Sequence, residues 1–126
     1  MNDMLKIKLL SELGVMLLVC AGFTTNQAAA GDYYWLGSSN YFDVSSAWTP
    51  SGPPSGTDNA WFTSTGTYQV WWDDTTGNRT TDYLYVQNGH VTMRKVSGST
   101  HTYSTTGSTI IDTNGWLTLG AAGLPL

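Results

Sequence analysis

Leu84-Tyr85-Val86-Gln87-Asn88-Gly89-His90-Val91-Thr92-Met93 and Ile110-Ile111-Asp112-Thr113-Asn114-Gly115-Trp116-Leu117-Thr118-Leu119 are the stretches that decide the fold. Each opens on an apolar residue, places an Asn-Gly pair so that Gly falls five positions later, and sets apolar residues at seven and nine around a Thr. A weaker copy precedes them as Trp61, Gly66, Tyr68 and Val70, so the three starts lie 23 and 26 residues apart. A repeat of this length marks units that cannot bury their apolar face alone and must stack on their neighbours. Each unit reads as two short strands around a turn, because Asn-Gly favours positive φ and the flanks are rich in Thr, Tyr, Trp and Val. The recurring frame favours a parallel β-helix of about three rungs, in which equivalent apolar residues stack inside. The alternative is an antiparallel β-sandwich, which also shows strands at regular spacing.

Composition narrows the function. The chain has 126 residues, a net charge of -4 and only 11 % charged residues, against about 25 % in an ordinary soluble domain. From Gly31 onward there are three bases (Arg79, Arg94, Lys95) and seven acids, all Asp. Contact with a phosphate backbone needs clustered Lys or Arg, so no nucleic-acid partner is expected. No stretch after residue 30 carries apolar positions at helical spacing.

Residues 1–30 read as a secretory signal. Lys6 and Lys8 precede an apolar run from Leu13 to Phe23, and Ala28-Ala29-Ala30 ends the segment. The run is too short for a bilayer crossing, which needs about 20 residues. Cleavage after Ala30 is expected, leaving no membrane span. It also removes Cys20, the single cysteine, so no disulfide staples the remainder. The reading expects an aromatic N-terminal cap over residues 31–60 and solenoid rungs over 61–126. The cap contains the loop from Pro50 to Gly56, and Trp35, Trp48 and Trp61 are expected to fill its interior. The Ser/Thr run from Ser97 to Thr109 is either a long polar wall or a mobile corner, and its low apolar content argues for the corner.

Trp35, Gly37, Ala47-Trp48, Pro53 or Pro54, Asp58, Ala60 and Phe62, followed by Gly66, Tyr68 and Val70, form an ordered pattern. It resembles the mature start of secreted bacterial β-helix proteins with autotransporter-associated or PEP-CTERM-associated repeats. The resemblance covers roughly residues 33–93 well and the remainder loosely. It implies a right-handed β-helix on or outside the cell surface, adhesive or structural in use and without catalysis. Family members commonly run for many rungs and end in a sorting helix or an outer-membrane barrel, which the sequence to Leu126 does not show. The chain is therefore expected to be either an N-terminal fragment of a longer protein or a minimal member.

Candidate chemistry is sparse. His90 and His101 lie eleven residues apart and supply half of a zinc site at best; neither metal nor cofactor is expected. Asp112-Thr113-Asn114-Gly115 lacks the later acidic ligands of a calcium loop and reads as a turn. A polysaccharide lyase would need Asp73, Asp74 and Asp82 around Ca²⁺ with Arg79 or Lys95 as base, and no spacing enforces that. The stronger alternative to a structural element is a carbohydrate-binding module. Trp71 and Trp72 adjoin in one strand, so one ring points out, and with Tyr83 and Tyr85 it could offer an aromatic platform for a sugar. The expected partners are polysaccharide or cell-surface components, together with edge-to-edge self-association.

Overall fold

The computed structural model describes residues 29–97 and 100–120. Residues 1–28, including the apolar run of the expected leader, and residues 121–126 lie outside the described residues. Nine strands follow in order: β1 (Asp32–Trp35), β2 (Asn40–Tyr41), β3 (Trp48–Thr49), β4 (Asn59–Phe62), β5 (Thr67–Trp72), β6 (Arg79–Thr81), β7 (Leu84–Lys95), β8 (Tyr103–Thr105) and β9 (Thr109–Gly120). A single turn of 3₁₀ helix, Ser45–Ala47, precedes β3.

The pairing is parallel throughout the coil. β1, β4, the first arm of β7 and the first arm of β9 stack into one wall. The second wall stacks β2, β5 and the second arms of β7 and β9, and the third is β6 on β8. Partners from β4 to β9 lie 23 to 26 residues apart along the chain. The chain is thus a parallel β-solenoid of about three turns, and the antiparallel sandwich is set aside. One antiparallel pair exists: β3 lies along the outer edge of β1, with Trp35 opposite Trp48.

Alternation within each strand explains the core. Ala60, Phe62, Tyr68, Val70 and Trp72 are buried while the residues between them are not, as a period of two requires. Phe62 stacks on Val86 and Val86 on Ile111; Tyr68 stacks on Val91 and Val91 on Leu117. At the first turn Trp35, Phe42, Trp48 and Phe62 pack edge-on or tilted at centroid distances of 5.0 to 5.8 Å. Burying such a side chain contributes about 1.5–3 kcal/mol, and this aromatic end holds the largest of them.

Three expectations need correction. Trp61 lies on the outer face, because its register partner is Tyr85 and Ala60 occupies the interior opposite Leu84. Gly115 does not share the positive φ of Gly89 (74°), and Asp112 to Gly115 continue within β9 rather than forming a turn. The Ser/Thr run supplies the third wall through β8, where Tyr103 packs against Phe42 and Trp72.

Candidate functional site

The first wall presents a column of rings on its outer face. Tyr34, Trp61 and Tyr85 occupy equivalent positions on successive rungs, which parallel pairing brings within stacking distance. Trp61 lies 3.8 Å from Tyr85 with ring planes 9° apart, and Tyr34 stacks on the other side of Trp61 at 5.9 Å and 20°. Tyr83 stacks on Tyr85 at 5.6 Å. Beside the column, Asp32 Oδ1 accepts hydrogen bonds from Asn59 Nδ2 (2.8 Å) and Trp61 Nε1 (2.9 Å). The Asn59 bond, with that from Trp61 second, holds the Asp32 carboxyl below its ordinary range.

The four expected platform residues divide among three places. Trp72 faces inward, 6 % exposed, against Phe42. Trp71 faces outward on the second wall, edge-on to Tyr41, and donates Nε1–H to Gln69 Oε1 at 2.9 Å. Tyr41, Gln69, Trp71, Arg94 and Val96 line a groove there. Tyr83 and Tyr85 belong to the first wall, where their neighbours are Trp61 and Tyr34. Trp61 and Tyr34 were missed as members because the repeat frame assigned Trp61 to the interior; the signal that finds them is the aromatic recurrence 27 and 24 residues apart, Tyr34 to Trp61 to Tyr85.

The titratable residues work locally. Asp73 Oδ1 accepts from Thr75 and Thr76 and closes its own corner, and the Thr75 hydroxyl leads in keeping this carboxyl low. Asp82 Oδ1 accepts from Thr106 Oγ1 at 3.0 Å, and Asp74 Oδ1 lies 3.3 Å from His101 Nε2. His90 Nε2 bonds Thr118 Oγ1 at 2.7 Å, with its ring tilted against Trp116. Among the described residues no three His, Cys, Asp or Glu side chains come together where they could hold a metal ion.

A second cavity, of about 360 Å³, opens at the C-terminal end of the coil. Trp72, Met93, Leu117 and Leu119 form its apolar part, and Lys95 and His101 stand on its rim. It is the interior of the last described turn, bounded by β7, β8 and β9.

These features define the class: a parallel β-solenoid of about three turns with an aromatic first turn and a ring ladder outside. No family model matches the chain, and no curated protein or solved structure matches it.

Proposed function

We propose that the chain is a secreted or cell-surface structural and adhesive β-helix element without catalytic activity, of the kind built from autotransporter-associated or PEP-CTERM-associated repeats. The observation that supports it is the direction of the outward-facing side chains, which bond along the stack from rung to rung. Trp61 has one face on Tyr34 and the other on Tyr85. Thr80 bonds Ser104, Thr106 bonds Asp82, and His90 bonds Thr118. A surface so used stiffens a rod and presents a hydroxyl-rich wall to its surroundings.

A second reading has its own support. The face of Trp71, with the Gln69 amide and the Arg94 guanidinium beside it, has the composition of a carbohydrate subsite: one ring for stacking and polar groups for sugar hydroxyls. One experiment separates the two. The full chain, expressed with its leader in a bacterial host, should leave the cytoplasm with Gly31 as its first residue by mass spectrometry. Cells displaying it should gain adherence that survives Trp71→Ala. Retention on polysaccharide that Trp71→Ala abolishes would establish the second reading. Cytoplasmic recovery at full length would sink both, and cleavage of a polysaccharide lost in Asp73→Ala would establish a lyase instead.

A further inference from the structure

Arg94 is the unanswered charge of the second wall. Its register partner on the preceding rung is Trp71, and the partner of Trp71 one rung earlier is Tyr41, so the three side chains form one outward column with steps of about 4.8 Å. The ion pair among the described residues is Asp74 with His101, which leaves the Arg94 guanidinium with no carboxylate there. Its Nε is buried and bonds nothing among those residues. The neighbouring stretches outside them, 98–99 and 121–126, contain no acidic side chain that could answer it. A buried donor on a charged group is destabilising when unpaired and marks a place for an acceptor. Arg79 Nε is equally without a partner, but Arg79 borders neither cavity, whereas Arg94 lines the groove beside Trp71.

What shares the groove with Arg94 narrows the ligand. The Trp71 ring is held by its Nε1–H bond to Gln69 Oε1 and by the edge-on Tyr41 ring, 5.3 Å away at 75°, so little side-chain freedom is lost when a ligand lies on it. That bond uses the Gln69 carbonyl oxygen. The amide N–H groups of Gln69 and the hydroxyl of Tyr41 bond nothing among the described residues. An apolar face, neutral hydrogen-bonding groups and one cation a rung away match a ring with apolar faces, hydroxyls around its rim and one anionic substituent. We infer that the groove takes an acidic sugar, a hexuronate residue of a polysaccharide, with its ring on Trp71 and its carboxylate on the Nε–H edge of Arg94. The inference rests on the carbohydrate reading of this groove and adds the charge of the sugar. A guanidinium is suited to this task, because its planar fork gives two parallel donors to a carboxylate. A bare anion would leave Trp71 without a role, and a neutral sugar would leave Arg94 unpaired. Net charge does not supply the preference: a chain of -4 repels polyanions, so the attraction is local.

The test is titration calorimetry of the purified full chain with oligosaccharides that differ only at C6. The probes are a β-1,4-linked oligoglucuronate, its methyl ester and the neutral cello-oligosaccharide, with an oligogalacturonate and its methyl ester as a second backbone. At least one acid should bind at least about tenfold more tightly than its own ester. Arg94→Gln should erase that ratio, and Trp71→Ala should abolish binding of acid and ester alike. Arg79→Gln, which removes the same charge from another wall, should change neither. The ester comparison is made on the wild type, so it stands even where Arg94→Gln fails to fold. Acids bound no more tightly than their esters, with both lost in Trp71→Ala, would overturn the inference and leave the carbohydrate reading intact. Binding of none of the probes, or binding indifferent to Trp71→Ala, would remove both. A preference for acid that survives Arg94→Gln, or falls as far in Arg79→Gln, would refute the role given to Arg94.

Discussion

Gly89 carries both a conformational and a steric constraint at the corner between the first and second walls. Its φ is 74°, and a Cβ there would lie 2.5 Å from Ser64 O and 2.6 Å from Gly66 O of the preceding rung. Gly66, one rung earlier, has φ 99° but open space where a Cβ would go. The two therefore separate conformational cost from steric cost. Left-handed backbone costs a non-glycine residue about 1–2 kcal/mol, and overpacking adds about 1–3 kcal/mol. Gly66→Ala should lose only the first and Gly89→Ala both, as read by urea denaturation. Equal losses would mean that the rungs part easily enough to admit a methyl group. The same scale shows why the Trp71-Trp72 pair was hard to read. Adjacent identical residues in a strand must point oppositely, yet nothing in the pair says which points in. Phe42 and Tyr103 settle it by packing on Trp72 from two other parts of the chain, and neither contact has a local signature.

Among the elements, the first wall depends on β4 and β7 holding register, and the Trp61–Tyr85 stack reports on that register. A double-mutant cycle with Trp61→Ala and Tyr85→Ala should give a coupling of about 1 kcal/mol. Trp61→Ala with Trp71→Ala, on a different wall, should be additive to within about 0.5 kcal/mol. Coupling no larger in the first cycle than in the second would reduce the ladder to a coincidence of spacing. The repeat was legible from Gly onward: Tyr68, Val91 and Leu117 stack as the frame requires, and so do Val70, Met93 and Leu119. Its opening position was not. The corner between the walls holds four residues before β5, three within β7 and four within β9. Counting back from Gly therefore lands on Trp61 rather than Ala60, and on Ile110 rather than Thr109. A small Ala or polar Thr at an inward position gives a pattern reader nothing to hold, and a large aromatic beside it draws the assignment outward by one. The candidate site suffered from the same slip, because the ladder exists only when Trp61 is placed outside.

For the whole molecule, alkaline pH is the sharper probe of packing. Burial pushes the Tyr68 and Tyr103 hydroxyls up to about 12, with a hydrogen bond to Thr81 opposing the rise at Tyr103. An unfolded tyrosine ionises near pH 10. The folded state therefore favours the neutral ring: its stability is complete below about pH 10 and falls as the unfolded chain gives up protons up to about pH 12. For Tyr103 the loss is at most about 3 kcal/mol. Phenolate absorbance should still be rising between about pH 10 and pH 12, as Tyr68 and Tyr103 ionise late. Tyr68→Phe should remove one late ring and, since that hydroxyl is buried with no hydrogen-bond partner among the described residues, raise stability at neutral pH by about 1 kcal/mol. A single titration step near pH 10 would contradict the close packing described for both rings.

The parallel register has a consequence in time. Every rung leans on the one made about 25 residues earlier, and the closed end, with β3 on β1, belongs to the part of the chain synthesised first. Loop-closure entropy grows slowly with length, and here each new turn meets nearly the same increment against a surface already built. A chain leaving the ribosome N-terminus first can therefore coil as it emerges, each completed turn serving as the template for the next. Folding can thus keep pace with synthesis rather than follow it.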